Sequence, residues 1–338
     1  MRIAQIAPPW LPVPPAGYGG VENVIAVLVD GLVERGHDVT LFASGGSATK
    51  ARLQAYHEQP LGTACQVSSP LVGLPHVLAA HARAQEFDIV HDHTFPFGPA
   101  IGMLRERPPV LHTVHTALAR HAVPIYELVN RRLPLVAVSA AQAEACPHVR
   151  FVATIHNGIA LRDFRMRATK GDYMFFLGRM SPDKGVHLAV EAARLLGRPL
   201  LIAAKMQNPE EIGYFETRVK PLLTSETIFL GEVGAREKAD LLARAACTLV
   251  PIQWDEPFGL VMVESLACGT PVVAFDFGAA PEIVDHGVTG YLARDFEEFV
   301  RLAARVGELD PKACRQAAEG RFAAERMVDA YVRLYEAL

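Results

Sequence analysis

Apolar positions along the chain alternate between two patterns. Short runs rich in Val, Ile and Leu predict buried strands, and apolar residues at helical spacing predict helices between them. In the first half, residues 2–7, 38–43, 87–91, 110–114 and 135–138 read as strands. Residues 20–35 read as a helix, with Val21, Val24, Ile25, Leu28 and Leu32 at helical spacing and Gly36 closing it. Residues 161–172 are charged and aperiodic and read as a linker or surface loop. The alternation then restarts, with strands expected at 173–177, 200–204, 227–230, 248–252 and 272–275, and residues 312–338 read as helical throughout. Runs this apolar suit parallel sheets covered on both faces. Two successive strand–helix alternations therefore predict an α/β chain of two doubly wound domains. Ligands of such sheets bind outside the carboxyl ends of the strands, so the expected site is a cleft between the domains.

The chain has 338 residues, enough for two domains of ordinary size, and half of them are hydrophobic, enough for a sizeable core. A net charge of −4 gives no sign of a nucleic-acid partner. Cys65, Cys146, Cys247, Cys268 and Cys314 are scattered and form no Cys-x-x-Cys pair. That pattern argues for a reducing compartment and against a disulfide scaffold or zinc site. No apolar run approaches the roughly 18 residues of a membrane span, and the N-terminus enters a strand and a Pro-rich loop, unlike a signal peptide. A cytoplasmic protein is expected, with weak membrane-surface contact left open.

The most informative segment is Glu256-Pro-Phe-Gly-Leu-Val-Met-Val-Glu264. If it is helical throughout, eight positions put the two glutamates on neighbouring flanks, two turns apart. Gly259 stands about where the helix should begin, which puts Glu256 before it, Glu264 within it, and a bare helix N-terminus suited to an anion between them. One carboxylate can accept hydrogen bonds from a sugar and the other from a ribose, with a diphosphate in between. A glutamate pair on a helix is ordinarily a solvated face, but Glu264 sits among Leu260, Val261, Met262, Val263 and Leu266, where a carboxylate is expensive to bury without partners.

Other segments add chemistry. Gly17-Tyr18-Gly19-Gly20-Val21-Glu22 follows the first strand, and its glycines allow close backbone approach to a ligand at a helix start. It fails as a dinucleotide fingerprint, because Glu22 holds the third glycine position and the preceding loop is too long. Gly178-Arg179-Met180-Ser181-Pro182-Asp183-Lys184-Gly185 follows another strand, which puts Arg179 and Lys184 in a strand-to-helix loop where two cations can clamp a diphosphate. His91, His93, His112 and His115 mark strand ends. A neutral histidine hydrogen-bonding a sugar hydroxyl is the expectation there, with a structural histidine the bland alternative; no metal is expected, since no Asp-x-Asp is present. Asp276-Phe-Gly-Ala-Ala-Pro-Glu282 reads as a connection after a strand.

In this order the segments resemble the retaining glycosyltransferases of family four, whose fold, GT-B, has two Rossmann-like domains facing each other across a cleft. The resemblance covers nearly the whole chain and includes Asn157-Gly158-Ile159. It implies a role for each matching residue. Glu256 would hold the donor sugar's hydroxyls and Glu264 the ribose. Arg179 and Lys184 would neutralise the leaving diphosphate, and Phe258 with the backbone of Gly259, Leu260 and Val261 would cradle it. Gly19 and Gly20 would close over phosphate and sugar, and His115 would stand near the donor sugar. Tyr18, Glu22 and His93 would lie on the acceptor side. The final helix would cross back to the first domain through Met327, Val328, Tyr331, Leu334 and Tyr335. Ala160 and Ala279 depart from the family's usual Asp and Gly, and the second departure bears on backbone access near the donor.

The implied domains are 1–165 (acceptor side), 166–318 (nucleotide-sugar side) and a crossing helix, 319–338. The implied activity is metal-independent transfer of a hexose from a nucleotide diphosphate sugar, a UDP- or GDP-sugar, to an unidentified small molecule, lipid or glycan, with retention and no cofactor. An epimerase or hydrolase of nucleotide sugars on the same fold, or a non-catalytic nucleotide-sugar-binding protein, are the alternatives.

Overall fold

Among the described residues, thirteen strands form two parallel sheets. The structure, a computed structural model, describes residues 1–63, 65, 69–118 and 122–338. Among these residues the first sheet holds β1 (Arg2–Ile6), β2 (Asp38–Phe42), β3 (Arg52–Gln54), β4 (Ile89–Asp92), β5 (Val110–Val114), β6 (Leu135–Ala137) and β7 (Phe151–Thr154), ordered β3-β2-β1-β4-β5-β6-β7. The second holds β8 (Met174–Arg179), β9 (Leu200–Lys205), β10 (Thr227–Gly231), β11 (Cys247–Val250), β12 (Val272–Phe275) and β13 (Gly290–Ala293), ordered β10-β9-β8-β11-β12-β13. In each, the order runs outward from the first strand to one edge and then restarts on its other side. The reversal falls between β1 and β4 in one sheet and between β8 and β11 in the other, and ligands of doubly wound sheets bind at such points.

The first unit comprises Met1–Gly158 and Ala324–Leu338. Its longest helix, Gly20–Glu34, buries Val24, Ile25, Leu28, Val29 and Leu32. It stops at Gly36, whose φ of 81° lets its N–H turn back to the carbonyl of Val33. The helix Ala324–Ala337 belongs to this unit and buries Met327, Val328, Tyr331 and Tyr335. It packs against Gly20–Glu34 so closely that a Cβ on Gly31 would lie 2.6 Å from a Val328 methyl.

The second unit, Ile159–Ala323, has its core between β8, β9, β11, β12 and the helices Val186–Leu196 and Phe296–Ala303, with Phe176, Ile202, Leu249, Val273 and Phe299 at its centre.

Three expectations need correcting. The expected limits at 165/166 and 318/319 move to 158/159 and 323/324. Ile159 donates its N–H to the Phe322 carbonyl at 2.9 Å and forms a parallel bridge with Ala323, so both limits are set by one pairing. Next, the stretch 161–172 is mostly exposed, as a surface loop would be, but it is no linker: it is anchored to the second unit. Phe164 is buried, its carbonyl accepts from Arg315, and the Lys170 ammonium reaches the carbonyls of Ala243 and Cys268 and the Thr270 hydroxyl at 2.7–3.0 Å. That ammonium closes the ends of the helices Ala235–Arg244 and Leu260–Ala267, and burial pushes its pKa down to about 8. Finally, the last helical stretch is two helices, Pro311–Phe322 and Ala324–Ala337, separated by the extended backbone of Ala323.

Candidate active site

The loops that leave β8 and β11, neighbours at the reversal of the second sheet, carry the predicted cation and carboxylate. After β8 the chain makes a short turn, Pro182–Lys184, and enters the helix Val186–Leu196 through Gly185 at φ 70°. Only glycine fits there, because a Cβ would lie 2.0 Å from the carbonyl oxygen of Pro251, just beyond β11. Gln253 ties the two loops further, donating its N–H to the Asp183 carbonyl at 2.9 Å and its side-chain amide to Pro182.

Within this frame the Lys184 ammonium is bonded to the Glu256 carboxylate and stands 5.3 Å from the centre of the Trp254 ring. Both charged side chains are largely buried. Arg179 is the last residue of β8 and not a loop residue; its guanidinium donates to Asp183 at 3.1 Å. Three buried polar atoms on these two segments, Arg179 Nε, Ser181 Oγ and Trp254 Nε1, have no hydrogen-bond partner.

Glu256 lies outside any helix. Gly259, at φ 88°, caps the helix Leu260–Ala267, so the two-flank geometry expected for a continuous helix does not arise. The half-buried Leu260 and Val261 form its first turn, where backbone N–H groups have no intrahelical acceptor. Phe258 is buried, with its ring edge-on to Phe322 at 5.9 Å, which anchors the loop in front of the helix. Glu264, one turn into the helix, is buried and bonded to Lys238 on the helix Ala235–Arg244 at 2.5 Å. The loop after β12 lies under Glu256: Ala279 donates its N–H to the Glu256 carbonyl at 3.0 Å.

In the first unit the glycine-rich turn precedes the helix Gly20–Glu34. Gly19 caps it at φ 154°, where a Cβ would meet Pro15 at 2.7 Å, while Gly20 and Tyr18 are exposed and Glu22 is buried. His93 follows β4 and His115 follows β5. They share a 2.8 Å hydrogen bond between His93 Nδ1 and His115 Nε2, and His93 Nε2 bonds Gln5 Oε1 on β1 at 2.8 Å. Gln5 donates its amide to the Tyr335 hydroxyl at 2.9 Å, and that hydroxyl is 2.7 Å from His91 Nδ1. His91 Nε2 reaches Thr113 Oγ1 at 2.7 Å, which in turn meets the Tyr331 hydroxyl at 2.9 Å. Burial lowers the pKa of His115 to about 3 and those of His91 and His93 well below the usual range, so all three rings are neutral near pH 7. Burial also raises both tyrosine hydroxyls above theirs.

Thus Arg179, Lys184, Glu256, Gly259, Leu260, Val261 and Glu264 gather on the second unit, and Tyr18, Gly19, Gly20, Glu22, His93 and His115 on the first. Sequence reading missed Lys238, Gln5 and the local partner Asp183. Asp183 sat inside a quoted motif, but Lys238 and Gln5 meet their partners only through packing. Among the described residues no helix is long and apolar enough to cross a membrane, and no group of three or more His, Cys, Asp or Glu is placed to hold a metal.

Two family models match the chain: "Glycosyl transferases group 1" over residues 160–321 and "Glycosyltransferase Family 4" over residues 18–163. The chain is 28% identical over 333 residues to a phosphatidyl-myo-inositol mannosyltransferase of Propionibacterium freudenreichii, covering 87% of this chain and 82% of that protein. Its structure resembles that of AviGT4, a glycosyltransferase involved in avilamycin A biosynthesis (27% identity, TM-score 0.73, covering 99% of this chain and 97% of that one). It also resembles Anabaena HepE in complex with UDP and glucose (21% identity, TM-score 0.79, both chains covered in full). With both halves matched in order and two parallel-sheet α/β units in place, the chain is a glycosyltransferase of family 4 with the GT-B fold.

Proposed function

We propose that the chain transfers a hexose from a nucleotide diphosphate sugar to an acceptor with retention of anomeric configuration and without a metal ion. The observation that carries this reading is the buried Lys184–Glu256 pair at the reversal of the second sheet, flanked by three buried polar atoms without partners. Unpaired buried donors are costly, and a bound anion satisfies them. HepE is seen with UDP and glucose, and by analogy a UDP- or GDP-sugar is the donor proposed here.

On donor binding, Lys184 exchanges the Glu256 carboxylate for a phosphate oxygen, and Glu256 accepts hydroxyl protons of the sugar. Arg179 and the first-turn amides of Leu260 and Val261 face the same diphosphate, and Glu264 accepts from the ribose while Lys238 balances its charge. The bond from C1 to the phosphate oxygen breaks, the bond from C1 to the acceptor oxygen forms on the same face, and the leaving phosphate takes the acceptor's proton. The chain contributes position and fixed charge, which strengthens as the diphosphate's charge grows.

Thermal melts with UDP, GDP, ADP and TDP and their sugars test the donor, since a bound ligand raises the melting temperature by mass action. With the stabilising sugar, the anomeric proton coupling of the product reports retention, and a chelator should leave the rate unchanged. An inverted product, or loss of activity to the chelator, removes the corresponding part of the reading. Release of free sugar or an epimer from donor alone, with no transfer to any acceptor, favours the hydrolase or epimerase alternative.

A further inference from the structure

With the Gln5 amide nitrogen on Tyr335 and its oxygen on His93, the polar chain that ends at His115 runs in one direction. Gln5 Oε1 can only accept, so the proton in its 2.8 Å contact belongs to His93 Nε2. His93 is neutral, so its Nδ1 bears a lone pair and must accept from His115 Nε2. His115 is neutral as well, which leaves the lone pair on its Nδ1. The other arm of the chain agrees. Gln5 Nε2 donates to the Tyr335 oxygen, the Tyr335 hydroxyl donates to His91 Nδ1, and His91 Nε2 donates to Thr113. No two donors or two acceptors face each other anywhere along it, and apart from half-buried His115 every residue involved is buried, where a mismatch is expensive. Turning the Gln5 amide over would force every proton in the chain to shift.

We propose that Gln5 and His93 are positioning residues that hold His115 as its Nε2–H tautomer, so that His115 Nδ1 is the acceptor the first unit offers to a sugar hydroxyl. Only the last clause rests on the nucleotide-sugar reading. Gln5 is buried in β1 and His93 is buried beyond β4, with both ring nitrogens of His93 already engaged by Gln5 and His115. They act through the one member of the chain that is half-buried.

Nitrogen-15 NMR of the full-length, histidine-labelled protein at pH 7.5 tests the tautomer, with the His115 signals assigned by their loss in His115→Gln. The expected result is a protonated Nε2 and an unprotonated Nδ1 at His115 in the wild-type chain; the opposite assignment overturns the proposal without any variant. Gln5→Met removes the acceptor while keeping the side chain's length, and a mixture of His115 tautomers should follow. A tautomer unchanged in Gln5→Met removes Gln5 from the mechanism. Tyr335→Phe, which cuts the Gln5 amide off from His91 and Thr113, should give the same mixture in a more conservative background. For the last clause, binding of UDP-glucose and GDP-mannose is compared with that of UDP and GDP. Gln5→Met should weaken binding of the sugar-bearing ligand by roughly tenfold, about one neutral hydrogen bond, and leave the diphosphate's affinity unchanged. Equal binding of that sugar by His115→Ala and the wild type, with the tautomer as expected, sinks the sugar contact alone. Failure of both sugars to bind the wild-type chain sinks the donor reading and leaves the NMR result standing.

Discussion

A Cβ built on Gly278 would stand 2.5 Å from both the backbone nitrogen and the backbone oxygen of Glu256. Gly278 is at φ 53°, and the next residue, Ala279, holds the Glu256 carbonyl. The turn after β12 is therefore the floor on which Glu256 rests. Ala279 itself has an ordinary φ of −81° and is fully buried, so the departure from the family's second glycine is absorbed without strain. The glycine that geometry demands is the one retained.

Gly278→Ala is accordingly expected to cost about 1–2 kcal/mol from the left-handed backbone alone, before any clash, and to displace Glu256. Ala279→Gly should cost no more than about 1 kcal/mol. Melting temperature and transfer rate measured on both variants check this. A Gly278→Ala protein that matches the wild type in both would refute it.

Lys184→Ala and Arg179→Ala are each expected to lower turnover by roughly 10²–10³, the range for one preorganised donor. Their stabilities should differ. Lys184→Ala leaves the largely buried Glu256 carboxylate without its cation, whereas Arg179 sits in a partly exposed pair with Asp183, a class worth under about 1 kcal/mol. Near-normal turnover in both single variants would argue against the clamp.

Glu256→Gln is expected to harm transfer more than it harms UDP or GDP binding, and Glu264→Gln to weaken nucleotide binding itself. Calorimetry on the two variants exposes a reversal. Lys238→Met leaves the Glu264 carboxylate, only 8% exposed, without its partner, and should cost about 1–3 kcal/mol of stability. The double variant Lys238→Met/Glu264→Gln should lose less than the sum of the two single losses. Additive losses would mean that the pair is not coupled.

Acid should destabilise the first unit from about pH 6.5 downward. Burial lowers the pKa of His76 and His112 to about 4 and of His115 to about 3. Above pH 6.5 these side chains are neutral both folded and unfolded. Between about pH 6.5 and 4 only the unfolded chain takes up their protons, so stability falls as pH falls, by up to about 1.4 kcal/mol per pH unit for each histidine. Urea midpoints followed from pH 7.5 to 5 give the slope, and a flat profile over that range contradicts the burial of these rings.

Gly31→Ala pits two effects against each other. Alanine favours the helix by about 1 kcal/mol, but its methyl would meet Val328 at 2.6 Å in a packed interface. The clash is expected to win, and Val328→Ala to restore part of the loss in the double variant. Stabilisation by Gly31→Ala alone would mean that the helix Ala324–Ala337 gives way more easily than its packing suggests.

Much of this architecture was written in local pattern. The helix Gly20–Glu34 and the strands β1, β5 and β12 fall within a residue or so of where the apolar runs put them, because those segments are buried on their pairing faces and little competes with that signal. Edge strands were harder. In β3, Arg52-Leu53-Gln54 offers one apolar residue, and the half-exposed β7 has a partner on one side only, so neither stands out from a loop. Ala323 gives no local sign of a break, since alanine favours helices; the bridge to Ile159 imposes it. At the candidate site, Glu256 stood out before a Pro-Phe-Gly, Lys184 beside a glycine and Glu264 in an apolar run. Lys238, 26 residues before Glu264, reaches it only because two helices pack together, and no spacing rule announces that.

The single pairing of Ile159 with Ala323 has a consequence for synthesis. During translation the second unit has all of its strands and helices once Ala323 has emerged. The first unit is begun earlier yet finished later: its Gln5, His91 and Thr113 wait for Tyr335 and Tyr331, which arrive only after the whole intervening body has been made. The half that starts first is thus the half that a ribosome stalled near residue 323 would leave open, with a row of buried histidines still exposed to water.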